Sequence, residues 1–413
     1  MRYARSWHCA AAVLTAALAA TCTAAPTASA APSASATDQC TFGTKKYEGR
    51  PWSLQRVLLD ELWRQSTGKG VKVAVIDTGV DIKNPQLTHA VDTSKGVNLL
   101  PEKLKDENKN PKSRGARNGT TDEVGHGTRV AGIIAARPLK GTGFVGLAPD
   151  ATIIPIDQND AEGHGTAESL ARAIDYAVEA GAGVINISQD TSNAVRPTLK
   201  LQQAVKRALD KGRVVVASAG NDGLDGNSKD TYPASYEGVL AVAASDRNNE
   251  RAPFSQSGRF VDVAAPGVDM VSTVPKGGHC PDNGTSFSAP YAAAVAALIK
   301  AKHGNWTSQQ IVAQIEQTAE RSVAGHDRLV GWGVVDPVRA LTEDDHPVEH
   351  PVADEGVRRA AAPVPAELHL GETASERNAR LATYVVVGVV VAVGGLAGVG
   401  VAVRDARRRR GVS

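Results

Sequence analysis

The chain has 413 residues, 42% hydrophobic and 22% charged, with a formal net charge of +2. That length allows one large domain with appendages, or two domains, and the balance describes a globular protein rather than a disordered or fibrous one. The charge misleads: with Arg2, Arg5 and the last ten residues set aside, residues 31–382 carry 39 basic and 43 acidic groups, a balance of −4. No nucleic-acid surface is expected on such a body.

Residues 1–30 open on Arg2 and Arg5, run apolar from Trp7 to Ala20 and end in Ala28-Ser29-Ala30. This is the layout of a secretory signal peptide. A lipoprotein signal ending at Cys22 is the rival reading, which Thr21 fits poorly. Residues 31–70 form an N-terminal extension with a flexible, Ala- and Pro-rich start. In it Leu54, Val57, Leu58, Leu62 and Trp63 fall at helical spacing before Gly68 and Gly70. The run "VKVAVID" then reads as a buried strand. Residues 93–121, rich in Lys, Asn and Gly, read as a long surface loop.

Beyond that loop, strand and helix patterns alternate. Helices are expected at 127–136, 166–181, 198–211, 286–303 and 308–318. Strands are expected at "ATIIPI", "GVINIS", "RVVVASAGN", "VLAVAAS", "VDVAAPG" and "DMVSTV". The alternation predicts an α/β fold, a mostly parallel sheet with helices on both faces, over residues 71–342. In such sheets, sites form at the carboxyl ends of strands.

Residues 343–382 are rich in Pro, Glu and Ala and read as a stalk. Thr383 to Val403 holds no charged residue. As a helix those residues span about 30 Å, enough to cross a bilayer and contact lipid. The basic tail 404–413 then favours the cytoplasmic side, with the body outside the cell. Cys9 and Cys22 leave with the signal. Cys40 and Cys280 remain, and in an exported domain they are expected to pair as a disulfide. Closing so long a loop contributes about 5 kcal/mol in the chain-entropy model.

Three short motifs carry the chemistry. "VAVIDTGV" sets Asp77 at a strand end, "GHGTRVAGIIAA" sets His126 at a helix start, and "GTSFSAP" sets Ser286 at another helix start. Alone, each has an ordinary structural reading: Asp77 closes a turn, His126 begins a helix, Ser286 caps one. Together, in the order Asp, His, Ser, they supply what acyl transfer requires. An imidazole takes the hydroxyl proton, and a buried carboxylate orients the imidazole.

These motifs resemble those of subtilisin-like serine proteases, whose chain order is the same. The resemblance covers roughly residues 70–342. "VVVASAGNDG" resembles the family segment whose asparagine amide helps form the oxyanion hole, which assigns that role to Asn221. "VINIS", ending at Ser188, resembles the strand that pairs with substrate backbone. Where the family usually continues with leucine and glycines, this chain has Gln189-Asp190-Thr191. Asp190 either charges the primary pocket towards a basic substrate residue or faces solvent. Gly163 and Gly165 resemble the opposite edge of the cleft. His89, His279, His303 and His326 have no metal-ligand spacing, and neither a metal nor an organic cofactor is implied.

The signal, the segment "C…RPW…L…LW", the stalk, the single span and the Arg tail together resemble a mycosin, a membrane-anchored subtilase of type VII secretion systems. That resemblance implies an extracytoplasmic enzyme in the cell membrane. Its partners would be a protein substrate and the membrane-embedded secretion machinery, and it would process a secreted protein. It also leaves open a mainly structural role in assembling the secretion complex, with proteolysis dispensable.

Overall fold

In this computed structural model the residues described are 40–102, 104–105, 111–160, 165–188, 197–225, 229–354 and 371–410. The expected signal peptide, Gly163 and Asp190 lie outside them. The chain divides into two units, Met1–Asp354 and Glu355–Ser413.

Among the described residues the first unit opens with two short helices, α1 (Trp52–Gln55) and α2 (Leu59–Gln65), rather than one continuous helix. The chain leaves helical geometry at Leu58, which is 63% exposed, and Leu59 takes its place in the core. Strand β1 (Lys72–Asp77) follows. The expected loop at 93–121 contributes more structure than its composition indicates. It adds an edge strand β2 (Val97–Asn98) and a two-stranded ribbon, β3 (Leu104–Lys105) with β4 (Pro111–Lys112). Then come α3 (His126–Ala135), β5 (Thr152–Asp157), α4 (Ala167–Glu179), β6 (Val184–Ile187), α5 (Leu199–Asp210) and β7 (Val214–Ser218). Strands β8 (Leu240–Ser245) and β9 (Val263–Pro266) precede a hairpin of β10 (Met270–Thr273) and β11 (His279–Asp282). Helices α6 (Thr285–Lys302), α7 (Ser308–Gln317) and α8 (Pro337–Thr342) complete the unit.

Seven strands form a parallel sheet in the order β2-β5-β1-β6-β7-β8-β9. The alternation of strand side chains sorts the core into two layers. Val73 and Val75 of β1 join the cluster that contains α3 and α6, while Ala74 and Ile76 join the cluster of α4 and α5. Helices thus cover both faces, as expected. The chain passes from β1 to β5 on one side and later to β6 on the other, so the order reverses at β1. A ligand crevice belongs at the carboxyl end of such a strand, and the last residue of β1 is Asp77.

Among its described residues the second unit contains one helix, α9 (Ala374–Arg410), which takes in the apolar run and the charged residues flanking it. It is long and apolar enough to cross a membrane.

Candidate active site

Asp77 is fully buried at the end of β1. Its Oδ1 accepts the Thr78 N–H at 2.8 Å. His126 opens α3 and places Nδ1 2.8 Å from Asp77 Oδ1 and 3.0 Å from Oδ2. The close approach of α3 to β1 depends on Gly127: a Cβ there would lie 2.1 Å from the Gly79 carbonyl and 3.1 Å from Asp77 Cβ. Burial alone pushes the imidazole pKa down. The Asp77 charge and hydrogen bond outweigh it, and the net shift is upward from the ordinary value.

A second carboxylate holds this junction together. Asp122 Oδ1 accepts Thr78 Oγ1 at 2.9 Å and the N–H groups of Val124 and Gly125 at 3.1 and 2.7 Å. Its Oδ2 accepts the Thr128 N–H at 2.8 Å and the Thr128 hydroxyl at 2.6 Å. Thr78 Oγ1 in turn accepts the Gly127 N–H at 3.0 Å. The residue after Asp77 and the residues on both sides of His126 are therefore tied to one side chain. Burial pushes Asp122 up to about 6, partly offset by the Thr128 and Gly125 hydrogen bonds.

Ser286 is the second residue of α6, whose buried face runs unbroken from Thr285 to Ile299. It does not cap the helix. The N-cap is Gly284, with no side-chain bond. The Ser286 N–H is one of the first four of the helix, which have no intrahelical acceptor. Pro290 lacks the N–H that would bond the Ser286 carbonyl four residues back. The His126 ring lies against the same turn, with its centroid 5.3 Å from that of Phe287.

Asn221 follows β7. Its Oδ1 accepts the Thr285 N–H at 2.9 Å and the Thr285 hydroxyl at 3.0 Å. Thr285 Oγ1 also accepts the Gly220 N–H at 3.1 Å. Its Nδ2 lies by the N-cap of α6, where it would be 3.6 Å from a Cβ at Gly284. The arrangement places an amide donor beside a serine at a helix N-terminus, a site suited to a developing negative charge.

Of the remaining expected residues, those described are Ser188, Gly165, Cys40 and Cys280. Ser188 lies one residue past β6, buried, and its hydroxyl accepts Asn186 Nδ2 at 2.8 Å. Its hydroxyl oxygen is thus engaged from within β6. Gly165 packs on the end of β5, where a Cβ would lie 2.0 Å from Gln158 Nε2. Cys40 and Cys280 form a disulfide, with Cα atoms 5.9 Å apart. His279 next to it is structural: Nδ1 accepts the Tyr47 N–H at 3.0 Å, Nε2 pairs with Gln86 Oε1 at 2.6 Å, and burial pushes it down to about 4.

The model of the subtilase family matches residues 68–333. The chain belongs to the subtilase family. Subtilisin BL of Lederbergia lenta is 37% identical over 286 residues, 69% of this chain and 96% of that protein. Among solved structures, MycP1 from the ESX-1 type VII secretion system matches with a TM-score of 0.63 and 32% identity, over 76% of this chain and 93% of that one. MycP1 from Mycobacterium smegmatis matches with a TM-score of 0.61 and 31% identity, over 78% and 93%. This subtilase is a serine endopeptidase with MycP proteases of type VII secretion systems as structural neighbours.

The sequence analysis does not single out two residues that tie these segments together, Asp122 and Thr285. Each has a signal in hindsight. Asp122 stands four residues before His126, and Thr285 adjoins the serine, so both are short polar residues beside a functional one.

Proposed function

We propose that this subtilase cleaves peptide bonds of a secreted protein with Ser286 as nucleophile, His126 as general base and then acid, and Asp77 as the orienting carboxylate. The observation that carries the reading is the bond from His126 Nδ1 to Asp77 Oδ1 at 2.8 Å, with the same imidazole against the first turn of α6. With Nδ1–H donated to Asp77, Nε2 is the basic nitrogen. It takes the Ser286 proton as Oγ attacks the carbonyl carbon. The resulting oxyanion is met by Asn221 Nδ2 and the Ser286 N–H, and one such donor contributes about 3 kcal/mol of barrier lowering. His126 returns the proton to the leaving amine. Water, deprotonated by the same nitrogen, then hydrolyses the acyl-enzyme.

The rest of the layout joins this reading. Residues 1–30 act as a signal peptide, 31–70 as a fixed extension, 71–342 as the protease domain and 343–382 as the stalk. Residues 383–403 are the membrane span and 404–413 the cytoplasmic tail. Ser188, Gly163, Gly165 and Asp190 border the substrate. The structural likeness to MycP proteases supports a place beside a type VII secretion complex. The test compares protein N-termini in the exported proteomes of parental and Ser286→Ala cells. At least one exported protein is expected to keep an uncut site in the variant. Identical termini, with secretion lost only on removal of the whole protein, would leave assembly as the function.

A further inference from the structure

The extension before the first strand touches both halves of the site. At one end, the Cys40–Cys280 bond fixes it to β11, a few residues before the N-cap of α6. It then runs along the hairpin. The Gly43 N–H donates to the Pro275 carbonyl at 3.1 Å, the His279 N–H donates to the Lys45 carbonyl at 3.2 Å, and Thr142 Oγ1 donates to the Tyr47 carbonyl at 2.6 Å. Between these anchors sits the half-buried Phe42. Its ring lies on Gly125, the residue before His126. A Cβ built on Gly125 would lie 2.7 Å from both Cε1 and Cζ of Phe42, and 3.1 Å from Cδ of Pro275.

Gly125 is a demanding position. It is the N-cap of α3 at φ 84°, in the left-handed region, so its backbone sets the angle at which His126 enters the helix. From the inside its N–H is held by Asp122 at 2.7 Å. From the outside it is covered by Phe42 and Pro275. Without the ring, the outer face of this glycine would meet water, and glycine has the widest backbone freedom of any residue. A small rotation there would swing the imidazole off the line between Asp77 and the serine, where about 1 Å of misplacement costs on the order of a hundredfold in rate.

We infer that Phe42 is a positioning residue of the protease: clamped by the Cys40–Cys280 bond, it presses on Gly125 and holds His126 in register with Asp77. The inference rests on the catalytic assignment of the preceding section, and the test separates the two.

The full chain in detergent micelles is reacted with a rhodamine fluorophosphonate, and the rate and the final extent of serine labelling are followed against pH. The parent is expected to label at Ser286, and His126→Ala to label far more slowly. Phe42→Ala is expected to slow labelling about tenfold while the final extent stays at the parental level. The acidic limb of its pH profile should move down towards an ordinary histidine. Phe42→Leu, which keeps an apolar cover, should recover most of the rate. A role confined to stability predicts the opposite pattern, a lower final extent at an unchanged rate, and that result would overturn the inference. So would a Phe42→Ala rate equal to the parent's, or a Phe42→Leu rate no better than that of Phe42→Ala. If the parent fails to label at Ser286, the catalytic assignment itself falls, and the inference with it.

Discussion

Asp77 and Asp157 close two neighbouring parallel strands and stand in register with each other. Both are buried, at 0% and 3% exposure. Their partners differ. Asp77 receives the Thr78 N–H and the His126 imidazole. Asp157 receives Asn98 Nδ2 on Oδ2 at 2.6 Å, while its Oδ1 has no hydrogen-bond partner among the described residues. Burial first, and then the charges of Asp122 and Asp77, push Asp157 up to about 8, with Arg114 and Asn98 offsetting part of the rise. That shift favours the protonated form of Asp157 at neutral pH. Depth in the fold does not decide what a carboxyl does; the donors aimed at it do.

The same substitution at the two strand ends should separate them most widely. Asp77→Asn removes the acceptor that selects the His126 tautomer, and kcat should fall about 10⁴-fold. Asp157→Asn replaces a protonated acid by a neutral isostere, and kcat should stay within about twofold of the parent. Steady-state hydrolysis of a peptide p-nitroanilide measures both. Comparable losses at the two positions would break the contrast.

A smaller effect sharpens it through pH. The neutral imidazole is the base, and Asp77 favours the protonated form despite the burial that opposes it. Activity should therefore rise with pH through a midpoint above the ordinary histidine value of about 6.5. The pH dependence of kcat/KM reports that midpoint in the free enzyme. A parental midpoint below the ordinary value would mean that burial, not Asp77, governs His126.

Much of this contrast was hidden in the sequence. The strand and helix alternation placed the sheet, and the three motifs placed Asp77, His126 and Ser286, because short-range patterns encode strand ends and helix starts. Asp157 was invisible, because nothing in "IIPID" says that its carboxyl will face Asn98, drawn from the loop before it. That loop read as surface because its Lys, Asn and Gly content masks two residues, Val97 and Asn98, that extend the sheet. Taken alone, "GTSFSAP" also fits Ser286 as a cap; the structure has Gly284 as the N-cap and gives the adjacent Thr285 the work of orienting Asn221. Leu58 fits the helical pattern only if the helix is unbroken, and the structure breaks it there. Local pattern carries which residues start or end an element, whereas which side chains meet across elements is settled only by packing.

The smallest effect concerns stability, and its sign runs against the usual carboxylate case. An unfolded aspartate has a pKa of about 3.9, whereas folding raises that of Asp157 to about 8. Between those values the folded state binds more protons than the unfolded one, so Asp157 lowers stability as pH rises through the window and adds no further loss above it. An amide in its place would not titrate. The Asp157→Asn protein should melt increasingly above the parent as the buffer moves from about pH 6 to about pH 9. Each 1 kcal/mol relieved is worth roughly 2–4 °C in a domain of this size. Differential scanning calorimetry of the full chain across that range gives the comparison directly. A melting difference that stays flat with pH would mean that Asp157 does not change its proton between those limits, and the two strand-end acids would then differ in partners but not in charge.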